Sequence, residues 1–216
     1  MIQVFDFAQG SDEWRQCRVG IPTASRFGDI LAKGEGKMRR RYLYELAGEI
    51  MTGEPAESFS NAHMERGKVM EDEARDFYAF TTDADLRRVG FIRNGGTGCS
   101  PDSLIGEDGA LEIKTKLPHL LIEAIVRDEF PPEHKAQCQG VLWVCEREWI
   151  DISCYWSKMP PLVKRAYRDE PYINSLGREV VAFSEELQAL VDRLQGRIDP
   201  SEHLRRALRA SLERTA

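Results

Sequence analysis

Three side chains carry the first chemistry this sequence offers. Asp102, Glu112 and Lys114 fall within Cys99–Lys116, CSPDSLIGEDGALEIKTK. Alternation over Ala110–Thr115 sets Leu111, Ile113 and Thr115 on one strand face, and Glu112 and Lys114 on the other. Gly106-Glu107-Asp108-Gly109 reads as the turn of a tight β-hairpin, with glycines to supply positive φ. Folding about Glu107 brings Asp102 opposite Glu112, within one register step, and facing residues have Cβ atoms about 4.5–5.5 Å apart. Two carboxylates so placed repel each other unless a cation lies between them. Carboxylates, a backbone carbonyl and water suit Mg²⁺ or Mn²⁺. Zn²⁺ would call for Cys or His, and the hairpin offers no second Cys or His at ligand spacing beside Cys99. Lys114 shares its face with Glu112, where an ammonium would orient an attacking hydroxide or neutralise charge developing on phosphorus. An exposed hairpin with ordinary surface charges would show the same spacing; the apolar opposite face favours a built site.

The rest of the chain must position this hairpin. Ser11-Asp12-Glu13 before Trp14 starts a helix that Gly20 ends, and Thr23 or Ser25 caps a second short helix through Leu31. Leu43, Leu46, Ala47 and Ile50 stripe a helix over Arg40–Thr52, stopped by Gly53. A longer helix over Ala62–Phe80 faces Met64, Met70, Ala74, Phe77 and Phe80 inward, with Pro55–Ala62 a polar connector before it. Asp85–Arg93 reads as one strand before the hairpin. His119–Arg127 and Pro132–Trp143 read as helices after it, and Trp149–Trp156 as a further strand. An amphipathic helix over Ser184–Leu194 closes the fold, with a last helix from Ser201 or a frayed tail beyond. This order predicts an α/β protein, a mixed central sheet flanked by helices. One domain spans residues 1–216, with a catalytic core over about 10–156 and a helical region over about 179–216.

The net charge of −6 is unevenly spread. Residues 15–41 hold eight basic against two acidic side chains, a local +6, and the remainder carries −12. A basic segment on an acidic body can grip phosphates without making the whole surface adhesive; a solvated face has the same composition. Gly34 and Gly36 make 33–41 read as a loop leading into a helix. Five scattered cysteines with no C-x-x-C read as reduced packing residues rather than disulfides or a zinc knot. The start has no basic-then-apolar signal, and no apolar run approaches the roughly 20 residues that span a bilayer. The expectation is a cytoplasmic protein of a bacterial or phage-infected cell, with no membrane partner.

Ser100-Pro101-Asp102 followed by Glu112-Ile113-Lys114 resembles the PD-(D/E)xK nuclease superfamily, whose core is restriction-endonuclease-like. More narrowly, the chain resembles the lambda-type phage alkaline exonucleases, or YqaJ-type viral recombinases. The resemblance runs through Trp14 with Arg18-Val19-Gly20, Thr23-Ala24-Ser25, Gly67-Lys68 with Glu71, Cys99-Ser100-Pro101-Asp102, and Ala136-Gln137-Cys138-Gln139. It implies that Asp102, Glu112, the Ile113 carbonyl and Glu71 hold Mg²⁺, with Mn²⁺ as a substitute. Lys114 and Gln137 would then serve the attacking water. Arg18 and Ser25 match residues that hold a terminal 5′-phosphate, and Met64 matches a wedge that splays the last base pair. A further basic family position falls where this chain has Gly34-Glu35-Gly36, and Lys37 or Arg39 would take its place. The resemblance implies 5′→3′ digestion of one strand of linear duplex DNA, leaving a 3′ overhang and releasing 5′-mononucleotides. It also implies a ring-shaped homotrimer on double-stranded DNA ends and a single-strand annealing partner. An endonuclease of the same superfamily is the alternative, then a DNA-binding module with idle acids. A Cas4-like iron–sulfur nuclease is disfavoured, since no cysteine follows Cys154.

Overall fold

The structure is a computed structural model and describes residues 1–32, 36–56 and 62–198, without the side chains of 62–66 and 68. The helix expected from Ser201 and the 33–35 loop lie outside the described residues.

The strand built on Ala110–Thr115 is the axis of the fold. It forms as β6, Gly109–Thr115, and pairs antiparallel with β5, Ser103–Ile105, through the expected hairpin. Only Gly106 in the turn takes positive φ, 52°. Gly109 is there for a different reason, because a Cβ would sit 2.3 Å from the Trp149 ring. On its other side β6 pairs parallel with β7, Trp149–Tyr155, which pairs antiparallel with β8, Leu162–Tyr167. With the short β2, Leu86–Arg87, the order is β2-β5-β6-β7-β8. The sheet is therefore mixed and carries one parallel step. That step requires a crossover, which is supplied by α5, Pro118–Arg127, a 3₁₀ turn at Pro132–His134, and α6, Lys135–Cys145.

Both sheet faces are covered, as a parallel step demands. Ala110, Ile150, Ile152 and Cys154 face α6 in the larger core, with Cys138, Val141 and Leu142. Ile105, Leu111, Ile113 and Tyr155 face α4, Ala62–Thr82, which contributes Ala74 and Tyr78. Tyr78 and not Phe77 sets the helix phase, because the Tyr78 hydroxyl donates to Asp151 Oδ2 at 2.6 Å. Phe77 is consequently 41% exposed and Phe80 88% exposed, against the inward orientation expected for both.

The stretch 85–93 is not one strand. It breaks at Val89-Gly90, where the Gly90 N–H donates to the Phe5 carbonyl at 2.9 Å. Its second half, β3, Phe91–Asn94, joins a separate sheet with β1, Ile2–Phe5, and β4, Thr97–Cys99. The first helix, α1, Asp12–Gln16, is capped by the Ser11 hydroxyl, which accepts from Trp14 N at 3.2 Å. No side chain caps the next turn. Thr23 bridges to Gly98, and its N–H donates to the Tyr42 hydroxyl before a 3₁₀ turn leads into α2, Phe27–Leu31. Helix α3, Lys37–Thr52, buries Leu43, Leu46 and Ala47 and ends at Gly53. The last helix, α7, runs over Glu170–Ile198, longer than the expected 184–194, because Ile173, Leu176, Val180 and Phe183 extend its buried stripe back to Pro171, whose missing N–H costs nothing in the first turn. All five cysteines are free.

Gly109→Ala is expected to lower stability by about 1–3 kcal/mol through overpacking against Trp149. The check is a lower urea midpoint at unchanged slope; an unmoved midpoint would show that the ring has room to yield.

Candidate active site

The hairpin ends in an irregular step that aims Asp102. Ser103 is the register partner of Leu111, yet the Asp102 N–H also donates to the Leu111 carbonyl, at 3.0 Å. Two residues set against one is the pattern of a β-bulge, a device that re-aims a side chain. The Asp102 carboxylate then takes the place the strand has left, and Oδ2 accepts the Ile113 N–H at 2.5 Å. Because N–H and C=O of one extended residue point to the same side, the Ile113 carbonyl also faces Asp102.

Glu112 projects from the opposite face of Ile113's strand position toward α6 and is only 4% exposed. Its Oε1 accepts from Gln137 Nε2 at 2.5 Å and from Lys114 Nζ at 2.8 Å. Its Oε2 is buried with no hydrogen-bond partner among the described residues. A buried acceptor left bare costs about 1–3 kcal/mol, and more when charged. Burial raises the Asp102 pKa well above the usual carboxylate range, and the negative charges of Glu112 and Glu71 push it further. Burial also works against the charge on Lys114, but Glu112 and Asp102 outweigh it, so its pKa lies above the ordinary value. The group is an ammonium.

A hard divalent cation fits this donor set. The bare Glu112 Oε2, the Asp102 carboxylate and the Ile113 carbonyl are all oxygen, the ligands of Mg²⁺ or Mn²⁺ rather than Zn²⁺. Among the described residues no three His, Cys, Asp or Glu side chains gather closely enough to hold a metal. Glu71 on α4 is thus not a third ligand as it stands; its Oε1 accepts from Arg75.

A cavity of about 220 Å³ opens on the acids and is also lined by Arg18, Ser25, Ser100 and Gln137. Arg18 lies 4.0 Å above the Trp14 ring and donates to Ser100 Oγ at 3.2 Å, while Trp14 Nε1 donates to the same oxygen at 3.0 Å. Burial pulls the Arg18 pKa below its usual value. No described carboxylate lies within ion-pair distance of its guanidinium, although the charge of Glu49 acts on it from farther away. Gln9 ties this wall together by donating to the Val89 and Pro101 carbonyls, each at 3.0 Å.

The fold therefore gathers Asp102, Glu112, Lys114, Ile113, Gln137, Arg18 and Ser25, and leaves Glu71 beside them. Lys37 and Arg39 are not brought to this cavity. Lys37 is exposed on the first turn of α3, and Arg39 pairs with Glu186 of α7 at 2.7 Å above the Phe183 ring. The Met64 side chain lies outside the described residues. Gln139, two residues from Gln137, points elsewhere and bonds the backbone of Tyr167 and Asp169. Ser100 and Gln9 were not singled out from sequence. Ser100 was legible within Ser100-Pro101-Asp102, whereas Gln9 gave no signal.

Comparison with known proteins shows the fold and the family. The alkaline exonuclease LHK-Exo from Laribacter hongkongensis superposes with a TM-score of 0.80 at 32% identity, covering 87% of this chain and 98% of that one. LHK-Exo in complex with dAMP gives 0.81 at 33% identity, with the same coverage. A phage-related exonuclease from Haemophilus somnus shares the fold, with a TM-score of 0.64 at 15% identity over 81% of this chain and 96% of that one. No curated protein matches. The YqaJ-like viral recombinase domain matches residues 13–148, most of the chain, and the protein belongs to that family.

Proposed function

We propose that this deoxyribonuclease is a Mg²⁺-dependent exonuclease that digests one strand of linear duplex DNA from its 5′ end. It releases 5′-mononucleotides and leaves a 3′ single strand for recombination by annealing. The observation that carries this reading is the bare, buried Glu112 Oε2 beside Asp102, in one cavity with an Arg18 guanidinium that no described carboxylate claims.

When bound, a divalent cation supplies a Lewis acid for the scissile phosphate and a water of lowered pKa. The protein's own groups do the rest. Asp102, Glu112 and the Ile113 carbonyl would hold the cation. Lys114, held on Glu112 Oε1, would orient the attacking water, help the cation deprotonate it, and neutralise the charge growing on the phosphate oxygens. Gln137 fixes Glu112 through Oε1, which leaves Oε2 free. Arg18, Ser25 and Ser100 would receive the terminal 5′-phosphate, and a fixed distance from that pocket to the acids sets the digestion polarity. LHK-Exo, the similar structure with dAMP, supports a nucleotide-sized site. A homotrimeric ring with DNA through its centre, and a single-strand annealing partner, complete the reading by family. Among the described residues no helix is long and apolar enough to cross a membrane.

End-labelled linear duplex, incubated with Mg²⁺ or with chelator, tests the proposal. Labelled mononucleotides from the 5′-ended strand, abolished by chelator, are expected; cutting of covalently closed circles would overturn it. Asp102→Ala and Glu112→Ala should each lower turnover at least about a hundredfold while leaving DNA binding nearly unchanged. Activity near wild type in either would remove the metal assignment. Arg18→Ala should slow digestion of 5′-phosphorylated ends more than of 5′-hydroxyl ends; equal loss on both would assign Arg18 to the fold alone.

A pH dependence of stability follows from Asp102. Its folded pKa lies above its unfolded value, so the native state binds more protons between the two, and stability falls as pH rises through that window. Melting temperatures of the metal-free protein should drop above the ordinary carboxylate range, and Mg²⁺ should restore them. Equal pH profiles with and without Mg²⁺ would contradict a cation at Asp102.

A further inference from the structure

Helix α4 places Glu71 and Arg75 one turn apart, with Arg75 only 6% exposed. An arginine is almost never buried so fully unless its charge is met. Its two terminal nitrogens are met, one by Glu71 Oε1 at 2.5 Å and the other by Asp72 Oδ1 at 2.6 Å. Its Nε is buried with no hydrogen-bond partner among the described residues. A side-on pair with a carboxylate would use Nε and a terminal nitrogen together. Glu71 is instead held end-on, by a single contact. Asp72 is anchored independently, because Arg88 also reaches its Oδ1, at 2.9 Å. If Glu71 leaves, the buried guanidinium keeps one carboxylate partner.

Glu71, Arg75 and Asp102 line one cavity of about 630 Å³, separate from the one that holds Glu112 and Arg18, with Asp102 common to both. Glu71 is close enough for its charge to be felt at Asp102, yet it is not gathered into a three-acid cluster. We propose that Arg75 is a positioning residue that acts as a latch. It holds Glu71 off the Asp102–Glu112 pair by a releasable end-on contact and competes with the divalent cation for that carboxylate. Glu71 would change partners as the cation enters, passing from Arg75 to the cation or its water.

The inference rests on Asp102 and Glu112 as cation ligands and deepens that reading. Its test is Mn²⁺ binding to the full chain without DNA, by isothermal titration calorimetry. Arg75→Gln should tighten binding about fivefold or more, the size of an ordinary coupling between sites. Arg75→Lys keeps the charge, and with it the fold, but loses the planar fork, and should tighten binding about threefold. Removing a positive charge near the site would raise cation affinity even without a latch, so the cycle is closed with Glu71→Gln. In that background Arg75→Gln should change affinity by no more than about twofold. Unchanged or weaker Mn²⁺ binding in Arg75→Gln and Arg75→Lys overturns the latch, as does an equal gain with Glu71→Gln present. If the wild-type chain binds no Mn²⁺, or binds it as well as Asp102→Ala does, the metal reading itself fails and the latch with it.

Discussion

The structure depends on one electrostatic constraint. A carboxylate oxygen of Glu112 is buried without a partner while a second carboxylate, Asp102, is held nearby on the other side of a strand end. Neither arrangement is favourable in a protein interior taken alone. Each neighbouring feature increases the bareness of the pair. The bulge-like step at Asp102-Ser103 turns one carboxylate toward Ile113. Gln137 and Lys114 both occupy Oε1 of Glu112 and leave Oε2 open. Such a site is strained without a counter-charge and preorganised for one.

Precision at the acids comes from the middle of the sheet. Strand β6 is bonded on one side by a short antiparallel partner and on the other by a full-length parallel one. Because β5 is only three residues long, the edge of β6 beyond Leu111 is open to Asp102 and to the cavity. The crossover that the parallel pairing requires delivers α6, and with it Gln137, over the Glu112 face. The topology that closes the core on both faces thus also supplies the third side of the site.

Local patterns were legible in the sequence, and long-range choices were not. The period-2 run of β6, the glycine turn, the stripe of α3 and its stop at Gly53 all follow from neighbours in sequence. So did the placement of Asp102 within a register step of Glu112. The strands β1, β3 and β4 are too short to announce themselves; β3 and β4 form a local hairpin, but β1 joins β3 across some ninety positions. The phase of α4 was misread because a Tyr78–Asp151 hydrogen bond, invisible locally, outweighs the exposure of Phe77 and Phe80. Arg39 sat in a basic run that suggested phosphate contacts, but its charge is spent on Glu186, a residue whose proximity depends on how α7 lies. The carboxylates were recognisable by type; which of their oxygens stays bare depends on Lys114 nearby and on Gln137 of α6, farther along the chain.

Ser100 has a consequence for what its cavity can admit. Its oxygen already accepts from both the Trp14 indole and the Arg18 guanidinium, so both lone pairs are engaged. Only the hydroxyl hydrogen is left to turn toward a guest. With an arginine beside it, this corner offers hydrogens and little to receive one. It therefore discriminates by protonation: an ionised oxygen group satisfies every donor, whereas a guest that must give up a hydrogen of its own finds no taker there.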